Sequence, residues 1–297
     1  MQHQLHFTRG QPDDEAIRWI QMWEGTALER DPRGYCVCTS EGKDSRVVGH
    51  LMRRAGVKHF YINNITGIDP PELVYFRRKN FEQYRAEGYT ALAIPYRESM
   101  WQLMREHLAP PLRRMRYCCE HFKERVSPEQ ENAIISLGVR KHESTRRAMN
   151  RDELEFAIGR DVIKMAFDND SDNETMENCY SRRELRVNPI ANWTTEMVWD
   201  YSADVGLEQC SLYQEGFDRL GCIGCPMARY AGRRMEFDRW PAFEAQYIRT
   251  FDWMREERIR RGKVITHDSG QDWFDWWMSD KAQEIMDEDQ LMLEDTP

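Results

Sequence analysis

The sequence lacks any apolar run that approaches the roughly 20 residues needed to span a membrane. Its first residues, Met-Gln-His-Gln-Leu-His, lack the pattern of a secretory signal. The first absence excludes a helical membrane span, and the second argues against export. We therefore expect a cytoplasmic location and no membrane partner.

Apolar character is low overall, with a mean hydropathy of −0.80. Even so, 40% hydrophobic and 11% aromatic residues are too many for a disordered chain. The 297 residues can bury one good core with an extension, or two small domains. The net charge of −9 disfavours a protein that coats nucleic acid without specificity.

Cysteine is absent after Cys225, although the chain contains eight cysteines. Without a secretory signal, such residues are more often metal ligands, catalytic groups or buried thiols than disulfides. Cys36 and Cys38 lie in an apolar run, and we predict that they are inert buried thiols. Cys179 and Cys210 have no partner close in sequence and are predicted to be structural.

Apolar runs of strand type alternate with helical patterns over much of the chain. This alternation predicts an α/β fold, a mostly parallel sheet flanked by helices. From about Met227 the pattern predicts a helical C-terminal extension with an acidic tail. We divide the chain into an N-terminal helix (1–30), an α/β domain that includes the candidate cysteine ligands (31–227) and the extension (228–297). The N-terminal helix is expected to pack on the sheet or on a second subunit, as in a homodimer.

A buried strand, Tyr-Cys-Val-Cys, is predicted to lead into the loop Ser40–Ser45 and then into a helix that ends at Gly56. The N–H groups of such a loop and the positive end of the helix dipole bind phosphate. Lys43 adds a cation, and the two serines add hydroxyl donors. It is not a Walker A loop, because Asp44 follows the lysine. An ordinary strand-to-helix turn is the alternative.

Two further polar segments, Thr66–Glu72 and Arg140–Arg147, also follow predicted strands. Ligands of parallel sheets bind beyond the carboxyl ends of the strands, so we expect these segments and the loop to form one site. Arg140 can form a bidentate pair with a phosphate or sulfate, and Glu143 can meet a ribose hydroxyl or order an arginine. A helix start with surface ion pairs is an equal alternative for the second segment.

Four cysteines form a candidate metal site: the adjacent Cys118 and Cys119, and the pair in Cys222-Ile-Gly-Cys225. A C-x-x-C loop lets two thiolates reach one centre, and four thiolates complete a zinc site or a [4Fe–4S] cluster. Structural zinc sites usually space their first pair by two to four residues. We therefore expect a [4Fe–4S] cluster, with zinc as the alternative.

The loop Ser40-Glu-Gly-Lys-Asp-Ser45 resembles the PP-loop motif S-G-G-x-D-S, with Glu41 where the second position is usually glycine. Other segments extend this to a resemblance to the phosphoadenosine phosphosulfate (PAPS) reductase family, which includes adenylyl-sulfate reductases. They match T-G-x-x-x-P-E at Thr66–Glu72, G-[IV]-R-x-x-E-S-x-x-R at Gly138–Arg147, and N-P-[IL]-x-x-W-T-x-x-x-[VI]-W at Asn188–Trp199. Cys-Cys followed much later by C-x-x-C resembles the cluster-bearing members.

This resemblance implies an adenine nucleotide alpha-hydrolase-like, Rossmann-like fold that binds an adenosine nucleotide, either ATP or adenylyl sulfate/PAPS. It implies that the loop holds phosphates, with Asp44 near any Mg²⁺, and that Arg140 and Arg147 clamp the anionic end. The implied catalytic residues are Lys43, Asp44, Arg140 and Arg147. The implied nucleotide-binding residues are Ser40, Gly42, Lys43, Asp44, Ser45, Thr66, Gly67, Arg140, Glu143 and Ser144.

The family's assimilatory reductases attack sulfur with a cysteine in an E-C-G-[IL]-H motif, which this sequence lacks. Reduction of a sulfonucleotide to sulfite would then need a thiol from outside the chain. One alternative is an ATP pyrophosphatase that activates a nucleic-acid or small acceptor for thiolation and takes sulfur from a donor. A second alternative is a zinc-stapled, nucleotide-binding module without turnover.

Overall fold

The computed structural model describes residues 12–124, 127, 130–143, 154–158, 161–164 and 184–279. Two predicted site residues, Ser144 and Arg147, lie outside the described residues. For Glu143 only the backbone is described, within a short 3₁₀ turn. None of the described helices has both the length and the apolar composition that crossing a bilayer requires. The cytoplasmic location stays a prediction.

The chain divides into two compact units whose segments alternate along the sequence. The first, here called the sheet unit, comprises Met1–Asn63, Tyr75–Ile94 and Val126–Gly216. The second, here called the helical unit, comprises Asn64–Val74, Pro95–Arg125 and Phe217–Pro297. The predicted domains, with boundaries after residues 30 and 227, are continuous segments of the chain. These boundaries stay a prediction.

A seven-stranded sheet with the order β3-β2-β1-β4-β7-β5-β6 lies in the sheet unit. Its strands are β1 Tyr35–Cys38, β2 His59–Asn64, β3 Ala91–Ile94, β4 Ile135–Ser136, β5 Leu154–Ile158, β6 Asp161–Lys164 and β7 Glu184–Val187. β1 pairs in parallel with β2 and β4, and β4 pairs in parallel with β7. β5 runs antiparallel to β6 and β7. The predicted α/β fold with a mostly parallel sheet is confirmed.

Ten α-helices are present among the described residues. They are α1 Pro12–Met22, α2 Glu24–Arg30, α3 Lys43–Ala55, α4 Pro71–Ala86, α5 Met100–His107, α6 Tyr117–Cys119, α7 Thr195–Asp204, α8 Tyr230–Arg239, α9 Pro241–Arg260 and α10 Gly270–Met278. The helix predicted near the N-terminus is thus two helices with Trp23 between them. Strand β4, which precedes the predicted site segment Arg140–Arg147, comprises only Ile135–Ser136.

The core of the sheet unit is a continuous apolar cluster to which α3 contributes Val47, Val48 and Leu51. Full burial of each such side chain contributes about 1.5–3 kcal/mol. Helix α1 packs against α3, where Arg54 Nη1 lies 2.8 Å from Asp13 Oδ2. Helix α3 therefore has a fixed position in the core, which fixes the loop at its N-terminus.

The helical unit has an aromatic core supplied by the predicted C-terminal extension, whose helical character is confirmed. Helix α9 packs against α10, and their buried rings include Tyr247, Phe251 and Trp277. Tyr247 stacks on Trp277 with 4.8 Å between ring centroids, and Phe237 of α8 meets Tyr247 edge to face. Such pairs contribute about 0.5–1.5 kcal/mol beyond the area they bury. The aromatic residues of the extension thus pack as a core.

Candidate functional sites

The loop Ser40–Ser45 lies in the sheet unit between the end of β1 and the start of α3. Gly42 occupies the N-cap position without a side-chain cap, and the Ser45 hydroxyl donates to its carbonyl oxygen at 3.0 Å. A 13-residue helix therefore begins at a polar loop with its first N–H groups directed out of its N-terminus. This geometry suits an anion, as the sequence predicts.

Three charged side chains meet at this helix start. Arg140 Nε lies 2.7 Å from Asp44 Oδ1, and Lys43 Nζ lies 3.3 Å from Asp44 Oδ2. Arg140 is only 3% exposed, and its Nη1 also donates to Thr195 Oγ1 at 3.1 Å. The structure thus brings together three of the four predicted catalytic residues, with one carboxylate between two cations.

Glu41 is fully buried. Its backbone φ of 60° lies in the left-handed region, which favours the glycine of the PP-loop motif. Its carboxylate accepts from Asn80 Nδ2 at 2.7 Å and from Thr39 Oγ1 at 2.9 Å, and lies 3.4 Å from Arg46 Nη1. Burial raises the pKa of Glu41, while Arg46 opposes that shift. The unusual residue therefore anchors the loop through buried contacts.

Two further residues, Tyr213 and Gly138, contact the loop, and only Gly138 belongs to a motif matched in the sequence. The backbone N–H of Lys43 donates to the Tyr213 hydroxyl at 2.9 Å, across 170 residues of sequence. Gly138 lies against the loop so closely that a Cβ would come within 2.9 Å of the Asp44 carbonyl carbon. Any side chain at Gly138 would displace the loop backbone, which explains the glycine there.

The predicted nucleotide ligands Thr66 and Gly67 lie in the helical unit. Thr66 is buried and lines a cavity with four cysteines, while its hydroxyl donates to Asp69 Oδ1 at 2.8 Å. Gly67 has a φ of 76°, and a Cβ there would meet open space. Their role in nucleotide binding stays a prediction.

The same cavity is lined by Cys118, Cys119, Cys222 and Cys225, the predicted metal ligands. The first two lie in α6, and the others lie in a loop fixed by the hydrogen bond from Ile223 N–H to the Ile68 carbonyl, 2.9 Å. Four thiols from two segments are the donor set of a zinc or four-iron centre. The cavity has a volume of about 20 Å³, so a cluster would require the thiols to spread. Across the described residues, no three or more His, Cys, Asp or Glu side chains are arranged to hold a metal ion.

Charges around this cavity act on the thiols. Hydrogen bonding to Cys119 and burial raise the pKa of Cys118, and burial raises the pKa of Cys222 against the effect of Lys123. The Cys222 thiolate in turn raises the pKa of Lys123. The neutral thiols of Cys118 and Cys222 are thus favoured in the metal-free chain, and a metal would have to displace their protons.

The helical extension supports the Cys222–Cys225 loop directly. Gly224 has a φ of 74°, and a Cβ there would lie 2.6 Å from Phe237 Cζ. Its N–H donates to Glu236 Oε2 at 2.7 Å, and burial raises the pKa of this carboxyl group. The loop is therefore fixed between an aromatic wall and a carboxylate of α8.

The remaining described cysteines lie elsewhere. Cys36 and Cys210 are buried, and the Cys36 and Cys38 sulfur atoms are 3.9 Å apart on β1. Burial raises the pKa of Cys36, in keeping with the predicted inert thiol. Cys179 lies outside the described residues.

Residues 34–228 match the sequence model of the phosphoadenosine phosphosulfate reductase domain. An uncharacterised protein of Methanocaldococcus jannaschii is 26% identical over 252 residues, which are 82% of this chain and 45% of that protein. An adenosine 5'-phosphosulfate reductase of Salinibacter ruber is 29% identical over 113 residues, 36% of this chain and 34% of that enzyme. The chain spans less than half the length of these curated relatives.

Solved structures show more distant likeness. The phosphoadenylyl-sulfate reductase of Candida auris has a TM-score of 0.45 at 15% identity, covering 73% of this chain and 97% of that one. The U34-tRNA thiolase NcsA of Methanococcus maripaludis, solved with its [4Fe–4S] cluster, has a TM-score of 0.45 at 13% identity. That match covers 90% of this chain and 86% of the thiolase.

Proposed function

The chain belongs to the phosphoadenosine phosphosulfate reductase family, and from this premise we propose that it is a sulfur-metabolism enzyme that reduces an adenosine sulfonucleotide. The observation that carries this proposal is the arrangement of Lys43, Asp44 and Arg140 at the N-terminus of α3. Two cations beside the N-terminus of a helix favour a phosphate or sulfate group. The loop Ser40–Ser45 would hold that group.

In this reaction Arg140 and Lys43 bind the anionic end of the substrate and stabilise charge that develops as the sulfur–oxygen bond breaks. An external thiolate attacks the sulfur atom, and the nucleotide leaves with its phosphate oxygen. A second thiolate then attacks the first thiol's sulfur, which releases sulfite and leaves a disulfide. The two electrons gained by sulfur thus come from two external thiols. The predicted contribution of Arg147 belongs to the same step.

The four cysteines of the helical unit would hold a [4Fe–4S] cluster, the group suggested by their number and spacing. A cluster bound there would supply an iron centre, and positively charged residues of the chain would surround it. Lys123 lines the same cavity, so its ammonium would offset negative charge from the thiolates. Zinc bound by the same four thiolates is the alternative, in a module without turnover.

One observation favours a second function, ATP pyrophosphatase activity that prepares an acceptor for thiolation. Asp44 presents a carboxylate at the loop, which is the kind of ligand that Mg²⁺ takes beside substrate phosphates. In this case Asp44 would bind Mg²⁺·ATP, and the acceptor would be a nucleic acid or a small molecule. The sulfur donor would be a separate partner.

The test compares both reactions in anaerobically purified protein. Sulfite formation from adenylyl sulfate or PAPS with a dithiol is measured beside pyrophosphate release from Mg²⁺·ATP. Arg140→Ala should weaken nucleotide binding about 10–100-fold, since a hydrogen bond between charged groups contributes about 1.5–3 kcal/mol. Lys141→Ala, at the adjacent position, is the matched control.

Asp44→Asn separates the two functions. Without Mg²⁺, this variant should bind the sulfonucleotide at least as tightly as the wild type, because it removes negative charge beside the anion site. Pyrophosphate release that disappears in Asp44→Asn would instead favour ATP activation. Binding that is unchanged in Arg140→Ala would contradict the proposed site in either case.

A further inference from the structure

Arg233 is a buried cation in α8 of the helical unit, only 1% exposed. Its Nη1 donates to the Trp277 carbonyl oxygen at 3.0 Å, and its guanidinium carbon lies 3.9 Å from the centroid of the Trp277 ring. Among the described residues, its Nε and Nη2 have no hydrogen-bond partner. Two donors of a buried charge are therefore unsatisfied, which is costly and uncommon in proteins.

The position of Arg233 relates it to the cysteine loop. It precedes Glu236 by three residues, so the two side chains share one face of α8. Glu236 bonds the Gly224 N–H of the Cys222–Cys225 loop, and a thiolate at Cys225 would favour the charged form of Arg233. The buried guanidinium thus lies on the helix face that supports this loop.

Positive charge accumulates around the same loop. Arg113 Nε donates to the Pro226 carbonyl oxygen at 3.0 Å, immediately after Cys225, and its charge disfavours the charged form of Arg233. Lys123 lines the cysteine cavity. Burial is the main effect and lowers the pKa of Arg233 to about 10, so it remains a cation at neutral pH. Negative groups here include Glu236 and Asp69, which already bind Gly224 and Thr66.

A buried cation with two unsatisfied donors and a second cation nearby is stabilised when an anion shares the region. Four thiolates around a [4Fe–4S] centre carry net negative charge, and reduction by one electron adds more. A nearby cation stabilises the reduced form more than the oxidised form, which raises the reduction potential.

We propose that Arg233 is the buried charge partner of the four-cysteine centre and raises its reduction potential. This inference rests on the proposed cluster. Arg233 is a positioning and tuning residue that acts on the centre through its charge. The helical extension would thereby control the electronic properties of a site whose ligands all lie before it in the sequence.

The test compares Arg233→Lys with Arg233→Gln, which both keep N–H donors and lose the planar guanidinium, but differ in charge. Each variant is reconstituted anaerobically with iron and sulfide, and bound iron is counted. The midpoint potential is then measured by redox titration with electron paramagnetic resonance detection. We expect a more negative potential in Arg233→Gln and a value closer to the wild type in Arg233→Lys.

Arg258→Gln is the matched control, because Arg258 is also a buried arginine near a tryptophan ring and bonds to the Val264 and Leu108 carbonyls. Its potential should stay at the wild-type value. Equal potentials in the wild type and Arg233→Gln would overturn this inference while leaving the cluster in place. A wild-type protein that binds zinc and no iron would overturn both the cluster and the inference.

Discussion

Each of the two units buries a charged side chain next to a candidate site. The two side chains differ in how many of their polar atoms have hydrogen-bond partners. In the sheet unit, Glu41 has Asn80, Thr39 and Arg46 as partners, all supplied by the chain itself. In the helical unit, Arg233 retains two unsatisfied donors among the described residues. Both carboxylate oxygens of Glu41 have donors, which indicates a structural role, although the Nε of its partner Arg46 has no hydrogen-bond partner among the described residues. On the proposal above, the two unsatisfied donors of Arg233 serve a bound group.

The largest effect should follow from removing the buried Glu41 carboxylate in Glu41→Ala. This change leaves Arg46 as a buried charge without its carboxylate and should lower the free energy of unfolding by about 3–5 kcal/mol. Denaturant unfolding of the purified chain measures it. Glu87→Ala removes a partly exposed carboxylate that pairs with Arg53 and should cost at most about 1 kcal/mol. Equal losses in the two variants would contradict the structural role of Glu41.

A pH-dependent effect of up to about 3 kcal/mol is expected from His59, another buried group of the sheet unit. Burial lowers its pKa from 6.5 to about 4, so the folded chain binds the proton more weakly than the unfolded chain. The associated stability is present above pH 6.5 and is lost as the pH falls toward 4. Unfolding free energies measured from pH 7 to 4 should therefore fall less in His59→Gln than in the wild type.

The control for that series is His142→Gln, a change at an exposed histidine of the same unit. It should follow the wild-type pH profile. Burial raises the pKa of Glu41, which acts in the opposite direction and removes stability as the pH rises above 4.5. An identical profile for His59→Gln and the wild type would show that His59 does not cause the loss at low pH.

In the helical unit, Gly224→Ala should cost about 1–3 kcal/mol and abolish metal binding, because the residue has positive φ and no space for a Cβ. The control variant is Gly221→Ala, whose Cβ would meet only Arg219 Nη2, at 3.8 Å, and which should therefore retain stability and metal binding. Thermal unfolding and iron bound per chain are the measurements. Full iron binding by Gly224→Ala would mean that the cysteine loop does not need its present conformation.

The smallest effect concerns the anion site itself. Tyr213→Phe frees the Lys43 N–H from its internal partner, so inorganic phosphate and nucleotides should bind about 2–10-fold more tightly. Isothermal calorimetry with phosphate and with a nucleotide measures the change. Tyr230→Phe, at an exposed tyrosine of the helical unit, should leave affinity unchanged. Weaker binding in Tyr213→Phe would indicate that the hydroxyl contacts the ligand.

The sequence predicts best where one local signal determines one feature. The run Tyr35–Cys38 is a strand, and Gly56 ends α3 with a φ of 71°, because alternation and a glycine cap act over a few residues. The contact of Tyr213 with the loop could not be predicted from local sequence patterns, because its hydrogen bond to Lys43 joins positions far apart in the chain. The inward direction of Glu41 likewise depends on Asn80, in another helix.

The same limit applies to the candidate sites. The cysteine motif predicts that four thiols belong together, and the structure places all four around one cavity. The segment that begins at Thr66 is predicted to bind the nucleotide because it follows a strand, and that role stays a prediction. What the sequence pattern does not reveal is that this threonine also lines the cysteine cavity.

The bond between Tyr213 and the Lys43 N–H also gives the protein an optical signal. Tyr213 meets the Trp199 ring edge to face, with 5.1 Å between centroids, and both belong to the sheet unit. An anion that takes the Lys43 N–H has to release the Tyr213 hydroxyl, which disturbs the surroundings of Trp199. Indole emission can therefore report occupancy of the loop in real time, without a labelled nucleotide.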